Sequence, residues 1–145
     1  MACQTVVVDG SGQNWVDDLI RAFNAHDAVA VGAFMTADAE YRCWLDDRWV
    51  TVQGRDAVVG MLDSFDKEMS SDFSLEKKFA VVTSEGFAVE YIEVGTQDRG
   101  FAPTGSTFNL HNIMVGELQS GKISRMTDYS DVVAYRSQAG SVDPG

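Results

Sequence analysis

Few strands that pack against a core end in a carboxylate, yet the run GKISRMTDYSD, residues 121–131, delivers Asp128 between Thr127 and Tyr129. In an extended chain Met126 and Asp128 share a face, an apolar neighbour followed by an acid. The stretch from Phe87 to Val94 repeats the pattern, placing Phe87, Val89, Tyr91 and Glu93 on one side. Burying such a carboxylate without a partner is costly, so its place on an apolar face asks for a reason. In Ala39–Trp44, Tyr41 and Cys43 share a face. Tyr41, Tyr91, Glu93 and Asp128 are therefore expected to converge at one end of a pocket lined by Phe65, Leu110, Met114 and Met126.

Two carboxylates in one apolar cavity titrate apart. One stays ionised, while desolvation and its neighbour's charge raise the other by ~1–3 units. That pairing supplies an acid and a base near neutral pH without metal or cofactor. A tyrosine hydroxyl beside them holds a developing oxyanion. In this reading Asp128 is the principal proton-transfer group, Glu93 its partner acid or water-positioner, and Tyr41 the orienting hydroxyl. Tyr91, Asn112 and Cys43 are expected substrate contacts. No serine or cysteine nucleophile carries a histidine signature, and no Gly-rich phosphate loop follows a strand. His26 and His111 are the only histidines and have no ligand-spaced partner, so no metal is expected.

Plainer readings stand beside these. Asp128 could serve the turn into a final helix, although Ser130 and Asp131 are better placed to cap it. Glu93 could lie on an exposed edge, and Tyr41, Tyr91 and Asn112 could be ordinary packing. Cys43 reads equally as a small buried hydrophobe. His26 falls in a loop and reads as solvated surface; His111 points away from Leu110 and Asn112, towards a dimer contact. Trp44 and Trp49 either cover the cavity mouth or pack.

The elements that must hold these residues follow from periodicity. Asn14 opens a helix in which Val16, Leu19, Ile20 and Phe23 fall at i, i+3, i+4, i+7. Asn24-Ala25-His26 breaks it, and Asp27 caps a second short helix ending near Met35. After the strand-like AEYRCW, Gly54 introduces a third helix with the stripe Val58, Leu62, Phe65 and Met69. From Phe73 the period becomes two, with Leu75, Phe79 and Val81 in phase. Ser84-Glu85-Gly86 turns one hairpin and Gln119-Ser120-Gly121 another; Gly95 to Gly105 is a loop between strands. A helix from Asp131 to about Gln138 ends the fold. Helices first and an antiparallel meander afterwards mean an α+β fold.

The 145 residues suit a single domain with a core over about 14–138 and ends that fray, Cys3 among them. Hydrophobic residues make up 45%, which excludes a disordered tail as the main content. Acids outnumber bases 22 to 11, a formal net charge of -11. That surface repels nucleic acid and anionic membrane alike. The N-terminal run lacks a signal peptide's basic region, and two cysteines make no disulfide framework, so a soluble cytoplasmic protein is expected.

Taken in order, FMTADAEYRCW, VQGRDAV, EYIEVGTQDRGFAPTGSTFNL and GKISRMTDYSD resemble the signposts of the nuclear-transport-factor-two-like superfamily. More narrowly they resemble its SnoaL-type polyketide cyclases and limonene-epoxide-hydrolase-like enzymes, over roughly residues 14 to 138. The resemblance implies a cone-shaped curved sheet wrapped on three N-terminal helices, an apolar interior pocket, no cofactor, and homodimerisation through the outer sheet face. It places Asp128 on the family's last-strand aspartate, Tyr41 on the first-strand tyrosine and Glu93 on the hydrolases' other aspartate. Tyr91 stands where those hydrolases carry an arginine, and Cys43 where they carry an asparagine. The expected function is a cofactor-independent cyclase or isomerase acting on a bulky, mostly apolar polyketide-type or terpenoid metabolite. The alternatives are an epoxide hydrolase and a non-catalytic binding or assembly module.

Overall fold

The computed structural model describes residues 4–7, 15–45, 48–68, 70–99 and 105–139. Helix α1 spans Trp15–Asn24 and buries Val16, Leu19 and Ile20 along the expected stripe, each contributing about 1.5–3 kcal/mol. Asn24 ends it by pairing with a strand: its Nδ2 donates to Leu75 O at 3.0 Å and its Oδ1 accepts from Leu75 N at 2.7 Å. His26 then takes a left-handed backbone, φ 55°. Asp27 caps the short helix α2, Ala28–Gly32, by accepting from Ala30 N at 3.0 Å. Helix α3, Arg55–Glu68, buries Val58 and turns Leu62 and Phe65 towards the interior. Asn14 and Met69, expected at the ends of α1 and α3, lie outside the described residues.

Seven strands form one sheet in the order β1-β4-β5-β6-β7-β2-β3. They are β1 (Gln4–Val7), β2 (Met35–Leu45), β3 (Arg48–Gln53), β4 (Ser74–Val82), β5 (Gly86–Thr96), β6 (Thr107–Gln119) and β7 (Lys122–Tyr129), followed by helix α4 (Val132–Ala139). The pairs β1–β4 and β2–β7 are parallel; the rest are antiparallel. Helices α1 and α3 pack on β4 and β2, and α4 packs on β6. The α+β class is as expected. Both hairpin turns also hold: Ser120 and Gly121 have φ 51° and 78°, the left-handed pair that a two-residue hairpin loop requires.

Four local expectations are corrected. Strands β1 and β3 were not legible, since their runs are short and lack a strict alternation. Strand β2 already begins at Met35, because α2 stops at Gly32. Strand β5 continues through Gly95 to Thr96 where a loop was expected, its last residues still paired with β6. In β4 a bulge between Lys77 and Phe79 reverses the phase. Leu75 and Lys77 point inward before it, Ala80 and Val82 after it, and Phe79 is left 41% exposed. Lys77 tolerates its buried position through an ion pair with Asp17 at 2.5 Å.

Candidate functional site

Strand pairing sets the site. Asp128 on β7 lies opposite Cys43 on β2 and Met114 on β6, while Tyr41 lies opposite Met126. Tyr91 reaches in from β5, one strand beyond β6, where its own partner is Asn112. Both phenols end on one carboxylate: Tyr91 Oη donates to Asp128 Oδ1 at 2.6 Å, and Tyr41 Oη donates to Oδ2 at 3.1 Å. Burial raises Asp128 above the usual carboxylate range, and the two hydroxyl donors pull it back by favouring the charged form. Burial and the Asp128 charge hold both phenols well above 10, so they act as donors.

Glu93 faces the same space. Burial, reinforced by the charge of Asp128, pushes it up to about 8. The Asp128 charge acts on Glu93 and no Glu93 charge acts on Asp128, so Glu93 is the acid that holds its proton to the higher pH. Cys43, raised to about 11 by burial and by Asp128, is a thiol and behaves as a small wall residue.

These groups line a cavity of about 410 Å³ between the sheet and the helices. Phe65, Leu110, Met114 and Met126 form its apolar wall as expected, together with Tyr41, Tyr91 and Cys43. Asn112 is the correction. It is 1% exposed and on the inner face of β6, but it does not line the cavity. Its Oδ1 accepts from Asp131 N at 3.0 Å, just where the chain leaves β7 for α4. Asp131 in turn caps α4 by accepting from Ala134 N at 3.0 Å, so the turn chemistry open to Asp128 belongs to Asp131.

Several wall residues carried no legible signal. His26 lines the cavity, stacked on Phe73 at 4.1 Å, with its Nε2 2.7 Å from Phe73 O. That contact spans 47 residues, and nothing in the loop Asn24-Ala25-His26 announces it. Helix α4 closes another side with Val132, Tyr135 and Arg136; Tyr135 is anchored by a hydrogen bond to Gln97 and an edge contact with Phe108. Trp44 lines the cavity, whereas Trp49 packs on it edge-to-face and on Tyr129. His111 is exposed on the outer face. Among the described residues no group of three or more His, Cys, Asp and Glu side chains is arranged to hold a metal, and no helix is long and apolar enough to cross a membrane.

The tyrosine contacts are separable by experiment. Tyr91→Phe removes the shorter, charge-assisted bond and is expected to raise the Asp128 titration; Tyr41→Phe should raise it less. Carbon-13 NMR of the labelled Asp128 carboxyl reads both shifts. Equal titrations in the wild type and Tyr91→Phe would show that the phenol does not hold the charge.

Comparison with known proteins puts this chain in a family. The model of the SnoaL-like domain matches residues 16–126. A protein with a ketosteroid isomerase-like fold from Catenulispora acidiphila superposes with a TM-score of 0.74 at 17% identity, over 88% of this chain and 92% of that one. TsrD from Streptomyces laurentii gives 0.74 at 18% identity, over 93% and 99%. A proposed SnoaL-like polyketide cyclase from Jannaschia sp. CCS1 gives 0.72 at 16% identity, over 88% and 92%. No curated protein matches the chain. At these identities the structures speak for the fold, and the family model for descent: the chain belongs to the SnoaL-like domain family.

Proposed function

We propose that the protein is a cofactor-independent acid–base enzyme, a cyclase or isomerase acting on a bulky, mostly apolar polyketide-type or terpenoid metabolite. The observation that carries this reading is one carboxylate gripped by two tyrosine hydroxyls in an apolar cavity that a second acid, Glu93, also lines. Asp128 as carboxylate takes a proton from carbon next to a substrate carbonyl. The Glu93 carboxyl gives its proton to the carbonyl oxygen as the enol forms. In an isomerisation Asp128 returns its proton to a different carbon while Glu93 recovers the enol proton. In a cyclisation the enol carbon attacks a second carbonyl; Asp128 gives its proton to that carbonyl's oxygen while Glu93 recovers the enol proton, so both acids are restored. Tyr41 and Tyr91 keep Asp128 oriented through both steps.

An interaction module has no need for acids brought together in an enclosed space, and their convergence favours chemistry. Tyr91 in place of a bridging arginine favours proton transfer over epoxide hydrolysis, because it donates to Asp128 and leaves no cation between the acids. The expected pairing of two copies is supported by the outer sheet face, where Ile113 lies opposite Tyr129 with Val115 alongside, all exposed.

The test uses enolisable bicyclic ketones, 2-tetralone foremost. In deuterium oxide the protein should accelerate exchange of the α-hydrogens, followed by NMR. Oxygen-18 water offered with a cyclic epoxide of similar size should leave no label in a diol. No accelerated exchange across the ketone panel would sink the acid–base reading, and labelled diol would replace it with hydrolysis.

A further inference from the structure

Glu93 makes no hydrogen bond or ion pair among the described residues, and its carboxyl opens onto the cavity that it lines. Asp128 uses one lone pair of each oxygen on a tyrosine and faces the same space. Among the described residues the basic side chains of the cavity are His26, from the loop before α2, and Arg136 on α4, and no lysine lines it. Neither offsets the strain on Glu93, whose rise has two causes, burial and the charge of Asp128. Trp44, Phe65, Phe73 and Tyr135 complete the wall with aromatic rings, whose faces attract positive charge. Two acids and a ring of aromatics form a host for a cation.

We infer that the cavity takes a ligand bearing a cationic nitrogen, a protonated or quaternary amine on an apolar or aromatic frame, seated between Asp128 and Glu93 against these rings. This narrows the charge class of the substrate and rests on the cavity being the substrate site proposed above. A cation there relieves the repulsion between the two acids and makes the Glu93 carboxyl a stronger acid towards a substrate carbonyl; a cation that carries no carbonyl leaves that proton only water as acceptor, so its binding at neutral pH releases a proton. The other titratable groups facing Glu93 do not imitate this. The hydroxyls of Tyr41, Tyr91 and Tyr135 and the thiol of Cys43 are all pushed upward and already hold their protons at pH 7. His26, Asp27 and Arg136 are shared by the wild type and the Glu93 variant, so their contribution cancels in the comparison.

The experiment is calorimetric binding at pH 7 in 0.15 M salt, in two buffers of different ionisation heat. The probes are (1-naphthylmethyl)trimethylammonium, its neutral carbon isostere 1-neopentylnaphthalene, and the anion 1-naphthylmethanesulfonate. The cation should bind at least about tenfold tighter than the neutral isostere. It should release a proton that Glu93→Gln abolishes, and the anion should bind weakest. A cation no tighter than its isostere overturns the inference. So does a preference that survives Glu93→Gln combined with Asp128→Asn, since that is attraction to the acidic surface at large. Catalysed 2-tetralone exchange without cation preference defeats this inference alone; cation preference without exchange defeats the acid–base reading and leaves the binding site standing.

Discussion

Asp128→Asn is expected to cut 2-tetralone exchange by about 10²- to 10⁴-fold, the range that a positioned general base contributes. The change is nearly isosteric. Asparagine Oδ1 still accepts from one phenol, and Nδ2 can donate to the other once that hydroxyl rotates, so both groups bonded to Asp128 keep a partner. A thermal melt should therefore remain cooperative and close to that of the wild type. A second reading separates lost chemistry from local damage. With the Asp128 charge gone, Glu93 should titrate below about 8 while burial still holds it above 4.5. Undiminished exchange in a folded Asp128→Asn protein would remove Asp128 from the chemistry.

Glu93→Gln should change how stability depends on pH. The folded carboxyl sits at about 8 against an ordinary 4.5, so between those values the native state holds a proton that the unfolded chain has lost. Folding is favoured by this group below about pH 4.5, and the advantage disappears as pH rises through about 8. Allowing for access through the cavity, the swing is roughly 2–4 kcal/mol. Glutamine cannot titrate. In urea unfolding, the variant's stability relative to the wild type should therefore rise by that amount between pH 4.5 and 9. The net charge of -11 weakens both proteins alike as pH rises, and it drops out of the difference. Parallel stability curves would mean that Glu93 is solvated in the folded state.

The candidate site was legible where it depended on local repetition. A period of two assigns a face without reference to any partner, which is why Tyr91 with Glu93, Met126 with Asp128 and Tyr41 with Cys43 each share the inner side. A period near 3.6 did the same for Val16, Leu19 and Ile20, and the turn residues marked both hairpins. Ordered motifs then added the family. Tertiary structure decided which inward residues meet. The bulge after Lys77 moved Phe79 outward because strand pairing, not composition, sets the phase beyond it. Asn112, correctly read as inward, was diverted to the backbone of Asp131 by the path of the chain after β7. His26 joined the wall only through Phe73, and α4 closed the cavity only by docking on β6. Periodicity is written within a few residues, whereas the Tyr41–Asp128 and Tyr91–Asp128 contacts join positions 87 and 37 apart, a separation that only the assembled sheet specifies.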